Sequence, residues 1–321
     1  MNILIIKLGA LGDVVMATPL IEAIQQHHPD ATCHLLTTPA YAPIFAAWPN
    51  LEVTALPRRG WRNMVQAIRF VRALDCAAIY DLQGNDRSAL WCAASGARMR
   101  VGNHTRFPYT HHPREPWTGQ VHIFARMREV LAAAGIESVR EVPRLPLTDA
   151  RKLHVRRWCA DAQLTAGNFA LLHAGASAAR PEKRWPYFAA LGRRLSDAGI
   201  TPVWIGAEAE REDNRQLRAR AGGIDAAGEF TINELAELGR GARFAVTNDS
   251  GPMHVLAAAA IPVFGLFGPS DWRRNHALGQ ADNVIACVET CAGFAGARTG
   301  ACLDRIPIDL VWQRLAGCGL V

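Results

Sequence analysis

Short apolar runs, each followed by a segment of helical periodicity, recur along the whole chain, and this alternation constrains the fold more than any other feature. Runs at 2–7, 32–37, 52–56, 77–80 and 99–102 are bounded by Gly, Pro, Asn or Asp and read as strands. Helical spacing lies between them at 13–27, 61–74 and 86–95. A strand without a polar face has no side to turn to water, so helices must cover both faces of its sheet. That is the parallel, doubly wound arrangement. Residues 141–147 (EVPRLPL) place two prolines in seven positions and predict an extended connection. After a helix at 149–161 the alternation restarts, with strands at 169–173, 202–205, 244–247 and 263–266. The helices between them fall at 185–198, 208–219, 232–240 and 251–260. The reading is two α/β domains, 1–145 and 149–321, which suits 321 residues better than one core would.

Several function classes are disfavoured at once. The opening MNILIIKLGALGDVV carries Lys7 and Asp13 where an export signal needs an unbroken apolar region. The longest apolar run, 255–268, is interrupted by Pro262 and Gly265 and falls short of the roughly 20 residues that span a bilayer. A cytoplasmic protein is expected. Cys33, Cys76, Cys92 and Cys159 are isolated, as small buried hydrophobes are. Cys287, Cys291, Cys302 and Cys318 are spaced unlike paired zinc thiols, so no metal is expected there. The net charge of +6 rests on arginine, with only Lys7, Lys152 and Lys183 as lysines. It is spread, with 15 basic and 11 acidic side chains in 1–148 against 20 and 18 in 149–321. A nucleic-acid binder concentrates its charge in a stripe, so nucleic acid ranks last among partners.

In doubly wound sheets ligands gather beyond the carboxyl ends of the strands. The first such turn, Lys7-Leu-Gly-Ala-Leu-Gly-Asp13, is not a dinucleotide fingerprint. Asp13 is either a helix cap or a general base beside a glycine-lined approach. The stretch LLHAGASAARPEKRWP (171–186) offers Gly175, Ala176 and Ser177 for close backbone approach to phosphate, with Lys183 and Arg184 to neutralise it. It lacks the ending of a Walker A loop. The stretch AVTNDSGPMHVLAAA (245–259) runs from strand to small-residue helix, so Ser250 and Gly251 suit an anion, while His254 either touches a ligand or fills space. Residues 103–120 (NHTRFPYTHHPREPWTGQ) break the rhythm and read as a long surface loop.

These three stretches, in this order and spacing, resemble the glycosyltransferase family 9 heptosyltransferases, and PVFGLFGPSD (262–271) extends the likeness. The TNDSG-x-MH form looks more like the second heptosyltransferase than the first. The resemblance implies a GT-B fold, two Rossmann-like parallel-sheet domains facing a central cleft, with the acceptor on the N-terminal domain and the nucleotide sugar on the C-terminal one. It implies inverting transfer of heptose from ADP-L-glycero-β-D-manno-heptose to a lipopolysaccharide inner-core acceptor, without metal or other cofactor. The sequence has no D-x-D motif to hold a cation.

Carried over by position, Asp13 matches the catalytic base and Lys183 the cation beside the diphosphate. Asn248, Asp249, Ser250, Gly251 and His254 fall on the donor loop, with Gly175 and Ser177 on the preceding one. Glu210 matches the acidic residue for the ribose, although Glu208 stands two places away. Gly12, Arg58, Arg62 and Arg106, with Arg59 and Arg114, are expected to face an anionic glycolipid, with peripheral contact at the inner membrane. Pro252 stands where leucine is common, which a first helical turn tolerates. The competing readings are a relative using another nucleotide sugar or another acceptor, such as a capsule intermediate or a protein, and a noncatalytic nucleotide- or nucleic-acid-binding protein.

Overall fold

The computed structural model describes residues 1–117, 119, 121–177, 180–287 and 302–321. The chain forms two compact units, Met1–Pro146 and Leu147–Val321. The first contains β1 (Asn2–Ile6), α1 (Leu11–His27), β2 (Thr32–Thr37), β3 (Leu51–Ala55), α2 (Trp61–Ala73), β4 (Ala78–Asp81), α3 (Asp86–Ala94), β5 (Met99–Val101) and α4 (Ile123–Ala132). Its strands are parallel and ordered β3-β2-β1-β4-β5. The apolar run of β1 follows from its place at the centre: Ile3, Leu4, Ile5 and Ile6 are all fully buried. Each such side chain contributes about 1.5–3 kcal/mol by leaving water. Leu4 and Ile6 pack with Leu36, Ile79, Val71 and Trp91 on one face.

The second unit contains α5 (Asp149–Asp161), β6 (Phe169–His173), α6 (Phe188–Asp197), β7 (Thr201–Trp204), α7 (Arg211–Ala221), β8 (Ile224–Asp225), α8 (Ile232–Gly241), β9 (Phe244–Asn248), α9 (Gly251–Ala257), β10 (Val263–Phe267), α10 (Trp272–Asn275), β11 (Val284–Ala286) and α11 (Ile308–Gly317). The order is β11-β10-β9-β6-β7-β8, again parallel. Two-residue alternation along β6 sends Ala170 and Leu172 to the face shared with Leu191 and Leu315. Phe169 and Leu171 go to the face shared with Leu238 and Leu256. Both faces are covered, as the unbroken apolar strands require.

Four features differ from the sequence expectations. The helix at 185–198 starts only at Phe188, after Pro186. The helix at 208–219 is split into a 3-10 turn, Glu208–Glu210, and α7. The segment at 103–120 is not wholly on the surface: Tyr109 is buried against Gly102, where a Cβ would come within 2.1 Å of the ring. Finally α4, α10, α11, β8 and β11 have no counterpart in the reading above, although Ile123, Phe124, Met127, Val130 and Leu131 carry a helical spacing. Among the described residues no helix is long and apolar enough to cross a membrane.

Candidate active site

Each sheet has one point where the chain reverses its direction of build-up. In the first unit it lies between β1 and β4, in the second between β6 and β9. Crevices beyond the strand ends open at such points. Asp13 lies at the first, and Glu210, Asn248, Asp249 and Ser250 at the second.

At the first crevice, β1 leads through Lys7 into α1. Helix α1 is capped by Ala10, without a side-chain hydrogen bond, so Asp13 lies inside the first turn and does not serve as the cap. Its carboxylate stands 4.0 Å from the Lys7 ammonium, beyond hydrogen-bond reach, with 31% of the side chain open to solvent. Lys7 is buried and donates to the Leu82 carbonyl at 3.0 Å. Burial pulls its ammonium below the usual lysine range, against the opposing charges of Asp13 and Asp81. Asp81, at the end of β4, is also buried. Burial pushes its carboxyl up, while the Tyr109 hydroxyl at 2.5 Å and the backbone N–H groups of Gly84 and Gln83 hold it down. Gln83 accepts the Leu8 N–H at 2.8 Å and so fixes the Lys7–Asp13 turn to the β4–α3 turn. A cavity of about 90 Å³ lies here, lined in part by Lys7, Asp13, Asp81, Gln83, Asn103 and Arg126. Arg126 is 4% exposed, donating to Asn103 and, at 2.7 Å, to Glu129.

Asp81, Gln83, Asn103 and Arg126 were not singled out from sequence. The stretch Asp81-Leu-Gln-Gly84 repeats the strand-glycine-helix pattern of the first turn and was a usable signal. Arg126 was hidden with its helix. Gly12 is buried in the first turn of α1. Arg58, Arg59, Arg62, Arg106 and Arg114 are exposed, with Arg62 over the Trp61 ring, and none lines the cavity.

At the second crevice the last residue of β6, His173, lies between two loops. Its Nδ1 is 3.0 Å from the Ser250 hydroxyl and its Nε2 3.5 Å from a Glu210 carboxylate oxygen. His173 was not among the residues singled out, although it ends the run that was. Glu210 also accepts the Ala207 N–H at 2.8 Å. Burial opposes ionisation of Glu210, but His173 and that N–H outweigh it and hold the carboxyl below its usual range. Glu208 is turned to Arg211, with two hydrogen bonds of 2.7 Å, so Glu210 alone of the two faces this crevice. Gly175 is required by that packing: a Cβ there would lie 1.5 Å from Glu210 Oε1.

Asp249 accepts from Lys183 and from the Ser270 hydroxyl, both at 2.5 Å. Asn248 uses both ends of its amide on backbone, donating to the Ala174 and Gly175 carbonyls and accepting the Trp185 N–H. It shapes the 174–185 loop. Gly251 opens α9, His254 is 6% exposed within it, and Ser177 is exposed. A cavity of about 200 Å³ adjoins Glu210, lined in part by Gly175, Trp185, Phe188, Asn214 and Leu217. Among the described residues no group of three His, Cys, Asp or Glu is placed to hold a metal, and Cys33, Cys76, Cys92, Cys159, Cys287, Cys302 and Cys318 are free. Cys291 lies outside the described residues.

Two Rossmann-like parallel-sheet units, each with its polar cluster at the reversal point, define a GT-B-like protein. The sequence matches glycosyltransferase family 9 (heptosyltransferase) over residues 64–294, and the chain belongs to that family. It is 25% identical to lipopolysaccharide heptosyltransferase 2 of Escherichia coli, over 98% of this chain and 96% of that protein. To lipopolysaccharide heptosyltransferase 1 of the same organism it is 26% identical, over 95% and 99%. The fold is similar to that of a family 9 glycosyltransferase from Veillonella parvula, with a TM-score of 0.82 at 22% identity, covering 98% of this chain and 96% of that one. It is similar also to E. coli ADP-heptose lps heptosyltransferase II, with a TM-score of 0.74 at 22% identity, covering 99% and 98%. The chain is thus a glycosyltransferase of the heptosyltransferase kind.

Proposed function

We propose that this protein transfers heptose from ADP-L-glycero-β-D-manno-heptose to an inner-core lipopolysaccharide acceptor, with inversion and without a metal. The observation that carries the reading is the state of Asp13, a partly exposed carboxylate at the reversal point of the first sheet, beside a buried ammonium and bordering a cavity. In this reading Asp13 takes the proton of the acceptor hydroxyl as its oxygen bonds to the anomeric carbon. The bond from that carbon to the diphosphate oxygen breaks, and ADP leaves with the electron pair. Lys183 and the Asp249–Gly251 loop receive the diphosphate, offsetting its developing charge. Glu210 takes the ribose hydroxyls. The first unit is the acceptor side and the second the donor side. The exposed arginines 58, 59, 62, 106 and 114 suit the carboxylates and phosphates of an anionic glycolipid at the inner face of the membrane.

The curated relatives named as lipopolysaccharide heptosyltransferases support the donor and acceptor class. The test is ADP release by the purified chain with ADP-heptose and a panel of truncated core lipids, beside thermal shifts with ADP, UDP, GDP and CMP. Turnover with a core lipid and stabilisation by ADP are expected. Stabilisation by UDP and not ADP replaces the heptose reading with another nucleotide sugar.

A further inference from the structure

The second crevice contains a buried, titratable side chain to which the proposed mechanism gives no task. His173 is 3% exposed and occupies the end of the central strand β6. One of its ring nitrogens faces each half of the proposed donor site: Nδ1 faces Ser250 on the phosphate loop, and Nε2 faces Glu210 on the ribose side.

We infer that His173 is a positioning residue for the nucleoside diphosphate, and that it gains a proton when the diphosphate binds at Ser250. The inference rests on the donor reading above and adds to it how the two halves of the site are coupled. A neutral ring that carries its proton on Nε2, toward Glu210, leaves Nδ1 an acceptor, and the Ser250 hydroxyl must then donate to it. In that state the hydroxyl hydrogen is unavailable to a phosphate oxygen. A ring protonated on both nitrogens donates to the Ser250 oxygen and releases the hydroxyl hydrogen. That hydrogen then points to the Asn248 carbonyl at 3.1 Å or to a phosphate. Bound phosphate therefore favours the doubly protonated ring, first by its charge and second by the hydrogen bond it gains. The balance is one proton taken from solvent and no bond to carbon, oxygen or phosphorus broken.

The charged groups around the ring bear on the same equilibrium. Glu210 favours the protonated ring from the turn before α7, and Arg184 acts on that carboxylate. From the β9–α9 turn comes Asp249, whose charge is already met by Lys183 at 2.5 Å. A second positive charge beside the diphosphate is thus supplied by protonated His173, at the end of the strand whose following connection carries Lys183. The absence of a Cβ at Gly175 leaves room for the ring, since a Cβ there would stand 3.1 Å from Nε2.

The experiment is calorimetric titration of the whole chain with ADP, in buffers of different ionisation enthalpy and across about pH 5 to 8, where histidine changes charge. Wild type is expected to bind more tightly as pH falls and to take up protons. The variants are His173→Asn, which retains a donor near the Nδ1 position, and His173→Gln, which retains one near Nε2. Each is expected to weaken ADP about tenfold, the scale of a charge-assisted hydrogen bond, and to take up fewer protons than wild type. ADP's own titration is common to all three and cancels in the difference.

Ser250→Ala keeps the buried ring and is expected to lower the proton count as well, so the test survives if removing the ring unfolds the unit. Equal affinities, or equal proton counts among wild type and the variants, overturn the inference alone. Absence of ADP binding to wild type overturns the donor reading and this inference together.

Discussion

Asp13 and Asp249 both stand where a central parallel strand passes into the next helix, Asp13 in the first turn of α1 and Asp249 in the turn before α9, and each faces a lysine. The resemblance ends at the distances. Lys183 and Ser270 both reach the Asp249 carboxylate at 2.5 Å, and its side chain is 8% exposed. Asp13 is 4.0 Å from Lys7 and 31% exposed. A carboxylate oxygen, Asp249 Oδ2, that accepts from both an ammonium and a hydroxyl ties Lys183 and Ser270 together. One held near a buried cation, but not bonded to it, remains able to accept a proton from a ligand. On the proposed reading, the pair that differs by 1.5 Å in contact divides into an acid that organises a loop and one that takes the proton.

The largest effect that separates them is expected from Asp13→Asn. Transfer should fall about 100-fold or more, the scale of a positioned base, while ADP affinity holds. Asp249→Asn should instead raise the donor KM and lower the thermal midpoint, since it leaves Lys183 without its partner. Steady-state kinetics with donor and acceptor varied separately read both, and an identical split between kcat and KM in the two variants breaks the comparison.

Lys183→Ala comes next. Its loss should raise donor KM about tenfold, in keeping with one charge-assisted contact to phosphate, and leave acceptor KM alone. A change confined to the acceptor would reverse the assignment of the two units.

Lys7→Met sharpens the comparison through pH. The folded protein holds the Lys7 ammonium below its ordinary value of 10.5 because of burial. Protonated Lys7 therefore costs stability at neutral pH, and that cost shrinks as pH rises toward 10.5. Wild type should gain stability relative to Lys7→Met over that rise, measured by urea unfolding at a series of pH values. A constant difference would mean that Lys7 is not the buried charge the geometry makes it.

The smallest effect belongs to the exposed arginines. Charge reversal of Arg58 and Arg62 together should raise acceptor KM a few-fold and flatten its salt dependence, as screened surface charges do. An unchanged salt dependence would make them solvated decoration.

Much of the fold was legible because its signals are local. Apolar runs such as 3–6 in β1 and 169–172 in β6 require a sheet covered on both faces, and Pro143 and Pro146 interrupt the rhythm between the units. What was missed has local causes too. Two-residue and three-residue strands such as β8 and β11 carry too few positions for a period. Pro186 delays to Phe188 the helix that spacing began at 185. At the sites, Asp13, Lys183 and Glu210 stood out as charged residues in strand-to-helix turns. His173 and Asp81 did not, because the last residue of an apolar strand gives no sign of which loops it will meet.

The sequence by itself determined that alternating strands and helices would build two parallel sheets, and that the chemistry would sit in the turns after their strands. Only the tertiary structure decided which turns meet. Sheet order brings β9 beside β6, so that Ser250 reaches His173 across 77 residues, and β4 beside β1, so that Asp81 adds its charge to that of Lys7. Periodicity is a property of neighbours along the chain. The pairing of strands depends on which faces must be buried together, a condition that no single stretch of sequence contains.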